Sequence, residues 1–279
     1  MNLSAWDDGA SVLLIEVGGH RILVDTWIHD AYASVSPAFF RAVRVRSALA
    51  AERLPRIDLI LVTSVQEDHC HTPTLALLDK RIPVIAEARA ARKMRGAGFT
   101  HVDTLGPGET RTLFGGQASL LGLPGYEHGL SFALREEPGG HRLCVAPHGL
   151  VLQTLRRQWR HYFQASWAVA AGEPAVHTLC LGTRPTFLKL WGLPSWLLPD
   201  QGTLIPLPEE NAALLELLRP RRVILIHGTP TEEQGWAVRH FVHYPLGPDP
   251  ERRMLEYLRA RGTGIEVLPS PAPGVSVTA

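Results

Sequence analysis

The stretch LILVTSVQEDHCHTPT, residues 59–74, concentrates the side chains best suited to chemistry. Four apolar residues run into Thr63, Ser64, Gln66, Glu67, Asp68, His69, Cys70 and His71, packed within nine positions. A carboxylate beside an imidazole, with a second imidazole two positions on, supplies the oxygen and nitrogen donors that Zn²⁺ or Fe prefers. Asp68 and His69 are therefore candidate ligands, and His71 is either a further ligand or a partner behind them. Glu67, beside such a centre, has the chemistry of a general base. The same residues have a plainer reading, in which Asp68 caps a helix beginning near Pro73 and the histidines are half exposed. Cys70 alternates away from both histidines, which predicts burial as a small apolar residue rather than ligation.

The elements around this loop have to hold it in place. IDLILVTS reads as a buried strand, and Pro73 suits the first turn of a short helix over TPTLALLDK. Strand ends are where α/β proteins collect functional groups. Upstream, ASVLLIEV and HRILVDTW flank Gly18-Gly19 as the two strands of a hairpin, the second ending on Asp25. AYASVSPAFFRAVRVRSALAAERLP between them and the loop is expected to be helical or irregular. The strand RIPVIA and a helix over EARAARKMRGAGF follow, and this alternation indicates an α/β class. The middle of the chain shifts to short strands between Gly and Pro turns, which implies antiparallel pairing and hence mixed sheets. Residues 155–167 carry Leu155, Trp159, Tyr162, Phe163 and Trp167 at helical spacing, opposite Arg156, Arg157, Arg160 and His161. PEENAALLELLRP is a second helical segment, RRVILI a buried strand that stops at His227, and Thr231 with Gln234 forms a capping-box pattern that predicts another helix. The tail 269–279 is Pro-rich and expected to be loose. No internal repeat or dividing linker is visible, so one domain over 1–279 is expected, with the candidate loop in 1–130 and a second half over 131–268.

Bulk properties narrow the function. A chain of 279 residues with 45% hydrophobic content can bury a large core. A net charge of +1 gives no general attraction to nucleic acid or an anionic membrane, so neither is expected as a partner. The three cysteines, Cys70, Cys144 and Cys180, lack CxxC spacing and fit a reducing compartment. The N-terminus is acidic where an export signal would be basic, and no run approaches the ~20 apolar residues of a membrane span. A cytoplasmic location is the expectation. Trp191, Trp196, Leu197 and Leu198, within 187–202, suggest a hydrophobic wall, a homodimer contact or core.

The order of a strand, a polar Asp-His loop, a helix and later strands ending on single histidines resembles the metallo-β-lactamase fold superfamily, whose loop reads HxHxDH. On residues 64–69 that motif reads Ser64-Val65-Gln66-Glu67-Asp68-His69, so Ser64 and Gln66 stand where two histidines would be. This degenerate form, with His71 added, is similar to a divergent branch of the superfamily. VLLIEVGGHRILVDTW resembles the family's opening hairpin, which delivers an Asp, here Asp25, beneath the metal loop. VDTLGPGETRTLFGGQASLLGLPGYEHG resembles the segment leading to the third histidine and makes His128 its nearest candidate. RLCVAPHG resembles the strand that carries a metal-bridging Asp, with Pro147-His148 in its place, and RRVILIHGTPTEEQGWAV resembles the closing strand with the last histidine, His227.

The resemblance implies a four-layer αββα sandwich of two mixed β-sheets, an α/β (α+β) fold. It also implies one metal subsite largely lost with Ser64 and Gln66 and a second retained in Asp68, His69 and His227, with His148 as a fourth ligand. One ion, Zn or else Fe or Mn, would then serve hydrolysis of a small-molecule ester, lactone or phosphoester, with Asp68 and Glu67 as the acid-base residues. If four protein ligands close the shell, the site is structural. Asp25 either orients a ligand imidazole or caps its strand. The rival expectation is a fold relative without hydrolysis or metal that binds ligands or partners, which the two missing histidines favour. A flavin- or oxygen-handling redox role has little behind it, and Ser64 as nucleophile would need geometry that spacing does not supply.

Overall fold

A run of apolar residues buried on both faces, bounded by turn residues, reappears in strand after strand of this chain. The computed structural model describes residues 1–34, 36–126, 129–138, 140–170, 172–183, 187–188, 208–240, 242–243, 249–261 and 264–279. Two seven-stranded sheets organise them. The first runs Ser276–Thr278, Asn2–Ala5, Leu13–Val17, His20–Val24, Leu59–Val62, Val84–Ala86, Val102–Thr104. The second runs Glu266–Leu268, Arg222–Ile226, Thr178–Gly182, Arg142–Ala146, Leu130–Glu136, Ala118–Pro124, Thr110–Leu113. Both are mixed. His20–Val24 pairs in parallel with Leu59–Val62, and Arg142–Ala146, Thr178–Gly182 and Arg222–Ile226 are parallel neighbours.

The period-2 pattern decides what each strand buries. Leu59 and Leu61 face Phe132, Val145, Cys180 and Ile224 of the other sheet, whereas Ile60 and Val62 join Leu75, Ala90, Ala91 and Met94 of the helices Thr72–Leu77 and Ala88–Gly96. On the far side Leu179, Leu181, Val223 and Leu225 pack with Leu155, Leu214, Leu218, Met254 and Leu258 of the helices Leu152–Arg157, Pro208–Leu218 and Pro250–Ala260. The result is the expected αββα sandwich of helix, sheet, sheet and helix. Among the described residues no helix is long and apolar enough to cross a membrane.

Four local expectations are corrected. Residues 31–55, read as helical or irregular, form the strands Ala31–Ser34 and Phe40–Arg44 before a short turn at Ala51–Arg53. The capping-box pattern at Thr231 starts no helix: Thr231–Gln234 is a strand paired antiparallel with Phe40–Arg44, and a helix follows only at Trp236–His240. Cross-strand pairing prevails there over a local capping preference. The tail is not loose throughout, because Ser276–Thr278 adds to the edge of the first sheet against Asn2–Ala5. The helix expected over 155–167 is broken into Leu152–Arg157 and a wider π-helical turn at Arg160–Ala165, although Leu155, Tyr162, Phe163 and Trp167 are buried as their spacing predicts. Of the segment 187–202, Phe187–Leu188 is a strand and the remainder, with all four of its large apolar candidates, lies outside the described residues.

Candidate metal centre

Parallel strands end together, and the groups that follow them meet. Beyond Val24 comes Asp25, beyond Val62 the loop 63–71, beyond Ala146 Pro147-His148, and beyond Ile226 His227. Asp68, His69, His148 and His227 converge so that their ligand atoms all lie within 4.8 Å of one another. Nε2 of His69 is 2.7 Å from Nε2 of His148 and 3.6 Å from Oδ2 of Asp68, and Nε2 of His227 is 3.8 Å from the same oxygen. The ring of His69 meets that of His148 edge-on at 4.4 Å and that of His227 at 4.7 Å.

Asp25 sets the orientation of His69. Its Oδ2 accepts from Nδ1 of His69 at 2.8 Å, while Thr63 donates its N–H to Oδ1 at 2.8 Å and its hydroxyl to Oδ2 at 2.8 Å. A carboxylate can only accept from the imidazole, so the ring proton sits on Nδ1 and Nε2 faces the cluster as a lone pair. Asp25 is thus an orienting partner of a candidate ligand and not just a strand cap. Both Asp25 and His227 have left-handed backbones, with φ of 59° and 53°. A non-glycine residue holds that conformation at a cost of roughly 1–3 kcal/mol, which the surrounding packing must offset.

Electrostatics match a cation. His69 is fully buried, and burial together with the neighbouring His69 keeps His148 well below the ordinary imidazole range, hence neutral. Burial raises the carboxyl of Asp68 against the opposing pull of His69. Imidazole nitrogens beside a half-buried carboxylate form the donor set of a Zn²⁺-type site, which can expand to five-coordinate to admit a water, and a divalent ion would offset the cost of partly burying that carboxylate. The residues present therefore fit one small cation.

Glu67 and His71 are engaged away from the cluster. Glu67, expected as a general base, is turned to the helix side: it pairs with Lys93 at 2.6 Å and accepts from the N–H and hydroxyl of Thr72. Burial opposes ionisation of Glu67, but hydrogen bonds from Lys93 and Thr72 outweigh it and lower its pKa. Glu67, not Asp68, is thus the carboxylate that satisfies the helix start. His71 is buried as well; its Nε2 bonds Ala31 O and its Nδ1 bonds Thr74 Oγ1, which leaves no nitrogen directed at the cluster, and burial brings its pKa down to about 4. Ser64 is buried and accepts a long 3.4 Å bond from the N–H of Gln66, while Gln66 is exposed. Cys70 is buried, with Sγ 3.7 Å from Sδ of Met94 and its thiol pushed up to about 12 by burial. His128 lies outside the described residues.

Three supports escaped sequence reasoning. Lys93 also donates to Cys70 O and, at 3.4 Å, to Val65 O, so it fastens the back of the loop from the neighbouring helix. Thr63 orders Asp25 as described. Asp7 and Arg44 form a fully buried ion pair at 2.5 Å. Asp7 is visible in the sequence as an acidic residue before Gly9, but nothing local marks an arginine 37 positions away as its partner.

No protein-family model and no curated protein matches the sequence. Solved structures do match. An isothiocyanate hydrolase from Delia radicum gut bacteria superposes with a TM-score of 0.69 at 13% identity, over 100% of this chain and 99% of that one. A possible metal-dependent hydrolase from Veillonella parvula gives 0.67 at 10% identity, over 100% and 99%. The metallo-β-lactamase fold protein YhfI from Bacillus subtilis gives 0.53 at 11% identity, over 99% of both chains. With its two facing mixed sheets, its outer helices and its His/Asp group at the strand ends, this chain has the metallo-β-lactamase fold.

Proposed function

We propose that the protein is a metal-dependent hydrolase that holds one ion on Asp68, His69, His148 and His227 and acts on a small ester, lactone or phosphoester. The observation that carries this is the convergence of four donors from behind three strands of two sheets. The structural likeness to an isothiocyanate hydrolase and to a possible metal-dependent hydrolase supports the reaction class at the level of fold. Zn²⁺ is the ion the donor set favours, with Fe or Mn as alternatives; bound there, it would supply Lewis acidity and a nucleophilic water at neutral pH. Asp25 keeps the proton of His69 on Nδ1, so Nε2 is the donor. Asp68, partly exposed beside the histidines, is the carboxylate we assign to take a proton, a role for which Glu67 is turned the wrong way. Three buried free thiols support a cytoplasmic setting.

Ser64 and Gln66 favour a second reading, a non-catalytic binding protein, since neither is a good replacement for imidazole. Elemental analysis by mass spectrometry of wild type and His227→Ala separates the two. About one Zn, Fe or Mn per chain, lost in the variant, is the expected result. Ester, lactone and phosphoester turnover should vanish with the ion in His69→Ala and His227→Ala, and retained turnover in both would overturn the mechanism. A wild type that takes up no ion even from added Zn²⁺ would leave the binding protein as the function.

A further inference from the structure

Arg44 and Asp7 are wholly buried, and neither belongs to the four-residue cluster. A buried ion pair is weak as a source of stability, because desolvation of both charges offsets their attraction. What this pair does is join segments. Arg44, at the end of Phe40–Arg44, gives Nη1 to Asp7 Oδ2, Nη2 to Trp27 O and Nε to His29 O, and its guanidinium lies 3.7 Å from the centre of the Trp27 ring. Those carbonyls belong to the segment that leaves Asp25. Asp7 in turn accepts from Val12 N at 2.7 Å and from the hydroxyl of Thr229 at 2.5 Å, with Ser11 Oγ 2.6 Å from that hydroxyl. Thr229 is two residues beyond His227. Across the same contact His227 N donates to Ala10 O and Gly228 N to Gly9 O, and a Cβ on Gly9 would sit 2.3 Å from Thr229 N. The loop 7–12 is therefore seated directly on the turn that holds His227 at positive φ.

We infer that the Asp7–Arg44–Thr229 network is a positioning device: it braces the Asp25–His69 side of the cluster, in the first sheet, against the His227 turn, in the second, and holds His227 in the left-handed conformation that aims its ring at the ion. This rests on the metal reading above and identifies residues that act through His227 without touching the ion. Removing an outer hydrogen bond behind a ligand typically weakens metal binding about 10- to 100-fold.

Thr229→Val, which removes only the hydroxyl, is the first variant. Zn²⁺ affinity is measured by competition with a chromophoric chelator, and the stability of the metal-free protein by denaturant unfolding in a chelator. The expected result is at least about 10-fold weaker Zn²⁺ binding by a folded protein. In the His227→Ala background, where Zn²⁺ binding is already weak, Thr229→Val should add no further loss. Wild-type Zn²⁺ affinity in Thr229→Val, with only the metal-free stability lowered, would overturn the proposal, and so would an equal additional loss in the His227→Ala background. If Thr229→Val does not fold, the double variant Asp7→Leu/Arg44→Met removes both charges together and leaves no unpaired ion; the same drop in affinity is expected from it, and unchanged affinity would refute the brace. Zn²⁺ binding by the wild type reports separately on the metal reading: if it is absent, that reading fails first.

Discussion

At Asp25, one carboxylate accepts from the backbone and hydroxyl of Thr63 and from Nδ1 of His69, all buried. Its job is to accept, and an amide in its place would turn a donor toward one of those groups. Asp25→Asn is expected to lower Zn²⁺ affinity about 10- to 100-fold, because His69 loses both its orientation and the basicity that the carboxylate confers. A chelator competition titration reads this directly. Affinity equal to wild type would reduce Asp25 to a cap on its strand. Thr63 acts together with Asp25, since its hydroxyl is 3.0 Å from Nδ1 of His69 as well as bonded to Asp25.

Among the elements, the start of Arg142–Ala146 carries a pH-sensitive contact remote from the cluster. His141 bonds Thr178 Oγ1 and lies 4.9 Å from the ring of His177, whose Nδ1 accepts from Arg142 N. Burial chiefly, then His177, the N-terminal amine and Arg222, bring the pKa of His141 from 6.5 to about 4, with Glu136 opposing. The folded chain therefore resists a proton that the unfolded chain accepts. Its contribution is complete above pH 6.5, declines as pH falls from there to about 4, and changes no further below that. His141→Gln should flatten the pH dependence of unfolding free energy across that window, measured by urea denaturation; an unchanged slope would show that His141 titrates normally. His177, also lowered by burial, acts in the same direction.

For the whole molecule, the two sheets act as a frame whose chain ends matter. Ser276–Thr278 completes the first sheet, Ala279 N bonds Met1 O, and Arg222 of the second sheet reaches Thr278 O. Deleting residues 275–279 bares the edge strand Asn2–Ala5 and is expected to lower Tm by roughly 2–8 °C, taking 1–2 kcal/mol for the lost strand. The bared edge should also favour self-association. Calorimetry and light scattering on the truncated chain check both; an unchanged Tm would mean that the tail strand adds nothing to the frame.

The sequence by itself indicated an α/β class with mixed sheets and an Asp68-His69 pair at the end of a buried strand, from apolar runs and from Gly and Pro turns, whereas His148 and His227 were singled out by the resemblance to the metallo-β-lactamase fold superfamily. It also carried the Gly18-Gly19 hairpin, whose glycines both have positive φ. Only the tertiary structure decided what stands behind those four residues. Asp25 and His69 are 44 residues apart, Arg44 and Asp7 37, and Lys93 and Glu67 26. The choice of Glu67 over Asp68 as the helix-side carboxylate turns on that lysine, and the strand at Thr231–Gln234 exists because Phe40–Arg44 lies beside it. Periodicity reports which face of an element is buried, whereas hydrogen-bond partners are set by which chain segments the packed sheets bring together, and that depends on the fold as a whole.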